Sequence, residues 1–381
     1  MSRLSRSGRK WRAVNKSVLK CRGICGIIIS QYLFALDIYG HGVSDMIKTI
    51  VLQGDSHTWG EGVGGEFLLG APSQAADVRK LCFAPPCYAN LIRRRVCYAT
   101  GSAAYDIDWR HISLMYTGDV TDASVRRGCT AILPGRPFTV KSPAGFVLCD
   151  FRHTAAPTAA RVLIDGEPAA EIDLQGPERD GYDDDYVRLP AWCDDGGHEV
   201  TVEAVKGEPL LRRMEFHSGR YAVIASGFGS RSIKEYLAGY WESDVAAFRP
   251  DIVVLECNTI NDWLRKEPPE TYGEYVRDLI EAARALTDRI IVHNVFPVMG
   301  GEAEPMSEYE FSTLNKRVRS AAIGMGVESC FADVSALAKE RMKGLEEWQK
   351  AMYFYHDCWH PNERGYAVYA DAIWEKLKDL L

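Results

Sequence analysis

The sequence lacks the features that mark several protein classes. No apolar run reaches the roughly 20 residues that a transmembrane helix requires, so we expect no membrane partner. The 381 residues carry a formal net charge of −7, which argues against a nucleic-acid partner because phosphate binding normally needs a basic face. Internal repeats and low-complexity segments are also missing. With 46% hydrophobic and 25% charged residues, the composition is typical of soluble globular proteins.

Paired cysteine spacing is missing as well. Eleven cysteines, an odd number, are scattered along the chain. We interpret them as mostly reduced thiols and expect a cytoplasmic protein, with secretion as the alternative. His356, Asp357, Cys358 and His360 are of metal-ligand type, but no second Cys/His pair stands at zinc spacing. We therefore predict neither a metal nor another cofactor.

The first 45 residues differ in charge from the rest of the chain. They contain eight Lys/Arg and two acidic residues, and the remainder contains 37 basic and 50 acidic residues. The apolar run from Ile27 to Leu36 is short and is not followed by a convincing signal-peptide cleavage site. We expect residues 1–45 to be a disordered extension, and their presence in the mature protein is open.

A short apolar run opens the part of the chain that we expect to fold. Thr49 to Leu52 is rich in β-branched and apolar residues and is soon followed by Gly54-Asp55-Ser56. A buried parallel strand has this pattern, and ligands of open α/β sheets bind where such strands end. Ser56 therefore stands where a nucleophile would be useful, although Gly-Asp-Ser is also common in turns.

The pattern changes in the middle of the chain. From about residue 105, short β-type runs follow one another without helices, which is typical of a small sandwich or jelly roll. Asp165-Gly166 predicts a two-residue hairpin. Residues 183–185 form an acidic loop that could hold Ca²⁺ but is better explained as a solvated loop. Strands alternate with helices again from near residue 217.

Four polar clusters lie at predicted strand ends or in the last loop. They contain Ser56, Ser230, Asn261, and Asp357 with His360. A serine hydroxyl is a poor nucleophile until a base takes its proton; His360 can do so, and Asp357 can orient the imidazole. A tetrahedral intermediate also needs hydrogen-bond donors, which the Ser56 and Ser230 N–H groups and the Asn261 amide can supply.

The residues of these clusters resemble the sequence blocks of the SGNH (GDSL-type) hydrolases. The resemblance rests on Gly54-Asp55-Ser56, on Leu255 to Asp262, and on Asp357 to Pro361. It covers residues 46–100 and 217–381. It implies a flavodoxin-like three-layer α/β/α fold. The β-type runs that lie outside the resemblance predict an inserted β-sandwich (jelly-roll-like) domain. We place the hydrolase domain at 46–104 and 216–381, with the insertion at 105–215.

The resemblance also implies a role for each matching residue. Ser56 would be the nucleophile, His360 the general base and acid, Asp357 its partner, and Asn261 an oxyanion donor. Thr259 stands where the family has glycine, so Asn258 is an alternative candidate for the oxyanion donor. We prefer Asn261, because Asp262 follows it.

In the block around Gly229-Ser230, either residue could supply the backbone N–H of the oxyanion hole. Ungapped counting places Ser230 at the position of the family's glycine, and a register shift of one residue would make Gly229 the donor.

Three tryptophans lie within three residues of candidate catalytic positions: Trp59, Trp263 and Trp359. Indole rings stack on the apolar faces of sugars, and aromatic walls commonly line ligand pockets. We hypothesise that these residues shape a pocket for a glycosyl ester. The alternative is that they buttress the catalytic loops.

The sequence thus predicts a serine esterase acting on small acyl esters, chiefly acetyl esters of carbohydrates. The carbohydrate substrate is an analogy with family members that carry extra β domains. A lipid or thioester hydrolase of the same family is one alternative, although no amphipathic lid is evident. A carbohydrate-binding protein with a vestigial site is another. The natural substrate, the acyl length, the oligomeric state and the role of the insertion are open.

Overall fold

A computed structural model of the chain describes residues 46–63, 83, 86–118, 128–176, 186–299 and 311–381. The expectations for residues 1–45 and for the acidic loop at 183–185 lie outside these ranges. The described strands are β1 (Lys48–Gly54), β2 (Ala103–Asp108), β3 (Thr130–Ala131), β4 (Phe138–Arg152), β5 (Ala159–Ile164), β6 (Glu167–Asp173), β7 (Tyr186–Lys206), β8 (Leu210–Ser218), β9 (Tyr221–Gly227), β10 (Ile252–Glu256), β11 (Ile290–His293) and β12 (Phe331–Ala332). The described helices are α1 (Ser56–Trp59), α2 (Tyr88–Thr100), α3 (Trp109–Thr117), α4 (Ile233–Gly239), α5 (Trp241–Asp244), α6 (Thr259–Leu264), α7 (Pro269–Arg284), α8 (Phe311–Gly324), α9 (Val334–Arg341), α10 (Glu347–Phe354) and α11 (Glu363–Leu377).

A parallel sheet of five strands carries the strand ends that precede Ser56, Ser230 and Asn261. Its order is β12-β11-β10-β1-β9, and every neighbouring pair is parallel. Numbered along the chain within this sheet, the strands run 2-1-3-4-5, which is the flavodoxin-like order. Helices α2, α9 and α11 pack together, and α4, α7 and α8 form a second group. The predicted flavodoxin-like α/β fold is confirmed.

The strand order reverses at β1, and this reversal places the candidate nucleophile. Right-handed crossovers put the helices before and after the reversal on opposite faces of the sheet, which leaves a crevice beyond the carboxyl end of β1. Ile50, Val51 and Leu52 are fully buried, as a central strand requires. A Cβ on Gly54 would lie 2.3 Å from Glu256 Oε2, so only glycine lets the ends of β1 and β10 meet this closely.

The strands between Ala103 and Ser218 form one antiparallel sheet. Its order is β2-β8-β4-β7-β5-β6, with β3 paired to β8. A β-sandwich of two sheets is therefore not confirmed for the described residues. The runs expected as separate strands at Phe138–Lys141 and Gly145–Phe151 are one long strand, β4. The ladder accommodates Gly145 with a register shift between Ala144 and Phe146, so this glycine bends the strand without ending it.

Glycines that stay within the ladder also account for the second long strand, β7. The runs expected at Tyr186–Leu189 and His198–Val205 both belong to β7, and Gly196 and Gly197 between them stay paired to β4. The expectation of no helix in this region is also wrong, because α3 packs on the sheet and buries Ile112 and Tyr116. These two residues are four apart, which places them on one face of a helix.

The Asp165-Gly166 hairpin is confirmed. Strands β5 and β6 pair antiparallel on either side of it. Asp165 has φ 53° and Gly166 has φ 86°, and positive φ at both central positions is the requirement of a type I′ turn.

Two buried arginines bind the free edge of the parallel sheet, one from a helix and one from the antiparallel sheet. Arg93 of α2 donates to the Val223 carbonyl at 3.0 Å, and Arg188 of β7 donates to the Ala225 carbonyl at 2.8 Å. Both carbonyls belong to β9, the edge strand. The buried carboxylate of Asp150 accepts from Arg188 at 3.3 Å and so balances its charge. The arginines therefore satisfy an edge that would otherwise be open to pairing with another strand.

Two further observations concern helix length and cysteine pairing. No helix in the described ranges is long and apolar enough to cross a membrane. No disulfide joins any cysteine of the described part of the chain.

Candidate active site

Ser56 lies at a tight turn between β1 and α1. Asp55 caps the short helix, because its side chain accepts a hydrogen bond from the His57 N–H at 3.1 Å. Ser56 is the first helical residue and is 5% exposed. The turn thus presents the serine hydroxyl at the carboxyl edge of the sheet, where the sequence predicts it.

A chain of hydrogen bonds links Ser56 to the last loop of the protein. Ser56 Oγ lies 2.9 Å from His360 Nε2, and His360 Nδ1 lies 2.8 Å from Asp357 Oδ2. Asp357 Oδ1 accepts the backbone N–H groups of Trp359 and His360, each at 2.7 Å. Residues 304 positions apart in sequence therefore form one Ser-His-Asp arrangement.

The electrostatics of this arrangement assign the imidazole protons. Burial opposes ionisation of Asp357, but the hydrogen bond and charge of His360 and the two backbone N–H groups outweigh it and hold the pKa of this carboxyl well below its usual range. An ionised Asp357 accepts a hydrogen bond from Nδ1–H, so Nδ1 keeps the proton and Nε2 presents its lone pair to the Ser56 hydroxyl. This is the tautomer that a general base needs.

The two candidate asparagines have different surroundings. Asn261 Nδ2 donates to Asp55 Oδ2 at 2.6 Å, which brings its amide to the nucleophile turn. Asn258 donates to the Arg231 carbonyl at 2.8 Å and accepts from Gln53 Nε2 at 2.9 Å. Asn258 therefore ties neighbouring segments together, and the preference for Asn261 as the oxyanion donor stays a prediction that this geometry favours.

Ser230 adopts a glycine-like backbone. Its φ is 58°, in the left-handed region that few residues other than glycine adopt. The conformation agrees with the register that puts Ser230 at the family's glycine position. The choice between the N–H groups of Ser230 and Gly229 stays a prediction.

Arg265 is a residue of the site region that the sequence reasoning missed. Its guanidinium donates to the Ser230 carbonyl at 2.8 Å and to the Asn261 carbonyl at 3.0 Å. It thus holds together the two segments that carry the predicted oxyanion donors. Nothing in the sequence marks it, because it lies in no block of the resemblance.

The tryptophan hypothesis needs correction for two of its three residues. Trp59 is 5% exposed and Trp263 is 1% exposed, and Trp263 packs edge-on against Phe311 with ring centroids 5.5 Å apart. Indole rings this deeply buried offer no face to a sugar, so these two residues buttress the loops. Trp359 is half-buried and keeps part of its surface open.

One buried trio has the residue types of a metal site. Within the described part of the chain, ligand atoms of Asp55, His57 and Glu256 lie within 4.8 Å of one another. Hydrogen bonds already engage these atoms: His57 Nδ1 lies 3.2 Å from Glu256 Oε1, and Glu256 Oε2 accepts the Thr58 N–H at 3.0 Å. The trio is explained as a hydrogen-bonded cluster, and no metal needs to be invoked for it.

Comparison with known proteins gives a family match that spans about half of the chain. Residues 179–368 match the model of the GDSL-like Lipase/Acylhydrolase family. The matched segment contains Asn261, Asp357 and His360, whereas Ser56 lies before it. No curated protein matches the chain.

Similar solved structures are distant in sequence. An acetylxylan esterase from Geobacillus stearothermophilus is 24% identical, with a TM-score of 0.36 over 42% of this chain and 73% of its own. An alpha/beta hydrolase from the metagenome of Lake Arreo, Spain, is 20% identical, with a TM-score of 0.36 over 42% and 75% of the two chains. A peptidoglycan O-acetylesterase is 13% identical, with a TM-score of 0.49 over 93% of this chain and 95% of its own. Similarities this distant do not identify a substrate.

The family match and the sequence blocks agree on the class of protein. Both indicate an enzyme that hydrolyses ester bonds, and the fold is the one that the blocks imply. The chain belongs to the GDSL-like lipase/acylhydrolase family.

Proposed function

We propose that this chain is a serine esterase that removes small acyl groups, acetyl above all, from carbohydrate substrates. The observation that carries the proposal is the hydrogen-bonded chain from Ser56 through His360 to Asp357. Ser56 Oγ attacks the ester carbonyl carbon while His360 Nε2 takes the hydroxyl proton. The negative charge of the tetrahedral intermediate is stabilised by the backbone N–H of Ser56, that of Ser230 or Gly229, and the Asn261 amide.

The remaining steps use the same residues. His360 gives its proton to the departing alcohol oxygen, and the acyl group stays on Ser56 as an ester. Water then attacks the acyl carbon while His360 Nε2 takes a water proton. The bond between the acyl carbon and Ser56 Oγ breaks, His360 returns the proton to Oγ, and the carboxylic acid leaves. The reaction needs no cofactor.

The carbohydrate part of the proposal rests on Trp359. Its indole is half-buried, and its own backbone is fixed through the N–H that donates to Asp357. A partly open aromatic ring next to the base in the chain suits the apolar face of a sugar. The second support is the resemblance to carbohydrate esterases with extra β domains, which is an analogy.

The esterase proposal is tested with a short-chain aryl acetate. We expect turnover by the wild-type chain, loss of at least about 10⁴-fold in Ser56→Ala, and wild-type activity in the exposed control Ser320→Ala. A serine-directed probe should label the wild type at Ser56. Equal activity of wild type and Ser56→Ala, or absence of both turnover and labelling, contradicts the proposal.

The substrate class is tested separately. A series of aryl esters of increasing acyl length distinguishes an acetyl esterase from a lipase. Trp359→Ala should raise KM for an acetylated sugar more than for the aryl acetate, whereas the control Trp348→Ala, whose residue is 61% exposed on α10, should change neither. Equal effects of Trp359→Ala on the two substrates contradict the sugar assignment.

A further inference from the structure

A fully buried histidine lies next to the proposed nucleophile and is not used by the mechanism above. His57 is 0% exposed, and its ring meets the His360 ring edge-on at a centroid distance of 5.4 Å. Its Nε2 lies 3.0 Å from the Trp359 carbonyl oxygen, and its Nδ1 lies 3.2 Å from Glu256 Oε1. It therefore touches the last loop on one side and the end of β10 on the other.

The partners of His57 determine its protonation. A carbonyl oxygen only accepts hydrogen bonds, so Nε2 must carry a proton to bond Trp359. Nδ1 faces the carboxylate of Glu256 and lies 3.7 Å from Asp55 Oδ1, so it also carries a proton. His57 is therefore a buried imidazolium. Burial opposes this charge, but the hydrogen bond and charge of Glu256, with the charge of Asp55, raise the pKa of His57 to about 9.

The bond to Trp359 matters because of which peptide unit it holds. The Trp359 carbonyl and the His360 N–H belong to the same planar peptide group. His57 binds the carbonyl, and Asp357 Oδ1 accepts the N–H at 2.7 Å. The peptide group that precedes His360 is thus fixed at both of its polar ends.

We propose that His57 is a positioning residue that fixes the place of His360 by donating Nε2–H to the Trp359 carbonyl while Glu256 anchors its Nδ1–H. Glu256 is itself fixed, because Oε2 accepts both the backbone N–H and the hydroxyl of Thr58. The end of β10, the nucleophile helix and the last loop are then coupled through one side chain. Misplacement of a catalytic group by about 1 Å can lower a rate by about 10²-fold, so a contact of this kind bears directly on kcat.

Two substitutions separate this role from a merely structural one. Glutamine places its amide nitrogen near the position of Nε2, so His57→Gln keeps a donor for Trp359 and loses the one for Glu256. Asparagine places its nitrogen near Nδ1, so His57→Asn keeps the donor for Glu256 and loses the one for Trp359. The two variants should therefore rank in opposite orders for activity and for stability.

The experiment measures kcat, KM and the unfolding midpoint of wild type and both variants with an aryl acetate. We expect kcat to fall by about 30- to 100-fold in His57→Asn and by less than about fivefold in His57→Gln, with KM within about twofold, although His57→Asn is the more stable variant. Equal kcat losses, or activity that follows stability, overturn the proposal.

Two measurements keep this test separate from that of the esterase proposal, on which the inference rests. If wild type turns over no ester, the esterase proposal fails, and amide hydrogen exchange of residues 355–362 decides the contact: faster in His57→Asn than in His57→Gln supports it, and equal rates overturn it. If neither variant folds, ¹⁵N spectra of the wild-type histidines decide. Protonation of both His57 ring nitrogens at pH 7 supports the contact, and an unprotonated Nε2 overturns it.

Discussion

Replacing Asp357 by asparagine should reverse the tautomer of His360. Asp357 Oδ1 accepts hydrogen bonds from the backbone N–H groups of Trp359 and His360, and Oδ2 accepts a hydrogen bond from Nδ1–H of His360. Asparagine has only one oxygen. If that oxygen faces the two N–H groups, the amide NH₂ points at Nδ1, which must then accept. The proton of the imidazole moves to Nε2, and the lone pair that Ser56 needs is gone.

The expected loss of kcat in Asp357→Asn follows from the free-energy difference between the two orientations of the asparagine amide. Turning the oxygen towards Nδ1 restores the tautomer but removes two backbone hydrogen bonds, each worth about 1 kcal/mol. About 2 kcal/mol then favours the unproductive orientation, which corresponds to a loss of at least about 30-fold in kcat. A serine protease in which the same change imposes the wrong tautomer loses about 10⁴-fold. The expected loss for Asp357→Asn lies between these figures.

Asp357→Ala is the matched control. The Asp357 side chain is 43% exposed, so water can reach Nδ1 once the carboxylate is removed, and the imidazole can keep either tautomer. We therefore expect kcat for an aryl acetate to fall further in Asp357→Asn than in Asp357→Ala, although Asp357→Ala, which loses both backbone hydrogen bonds, has the lower unfolding midpoint. An asparagine variant at least as active as the alanine variant would refute the tautomer argument.

Three further predictions concern the neighbours of Ser56. Asn261→Ala should lower kcat by about 10²- to 10³-fold, whereas Asn258→Ala should chiefly lower the unfolding midpoint; the opposite ranking would exchange their roles. Ser230→Gly should keep activity and raise stability by up to about 1 kcal/mol, because φ 58° is strained for serine; lost activity would show that the side chain takes part. The folded state keeps the proton of His57 up to pH about 9, whereas the unfolded chain releases it near 6.5, so stability should fall as pH rises between these values, by on the order of 3 kcal/mol. Urea unfolding at pH 6 and 9.5 checks this, and an equal loss in His57→Asn would contradict the assignment.

Local chemistry made the nucleophile strand and the last loop predictable. Thr49 to Leu52 are β-branched or apolar without interruption, and a glycine with no room for a Cβ follows them. The fold then places Ser56 and His360 together, because both lie at the carboxyl edge of one parallel sheet. The geometry agrees with the roles that the resemblance implies, which stay predictions until activity is measured.

Tertiary contacts decided what the sequence could not predict. Gly145, Gly196 and Gly197 look like strand ends, yet each stays within a long strand because its neighbours keep their ladder pairs. Trp59 and Trp263 stand beside candidate catalytic residues, but closeness in sequence does not say which way a side chain points. Both rings point into the core.

Glu256 shows why positioning residues are harder to predict than reacting ones. It ends an otherwise apolar strand, where a lone carboxylate costs several kcal/mol of desolvation and therefore requires partners. Its partner His57 lies 199 positions away, and the sequence gives no sign of the pairing. Burial opposes both charges, but the hydrogen bond and the mutual attraction of the two groups outweigh it and hold the pKa of Glu256 at about 2 and that of His57 at about 9, so the pair is ionised across the neutral range. Because this ion pair lies between the end of β10 and the peptide that carries His360, removing either charge should disturb the base before it unfolds the sheet.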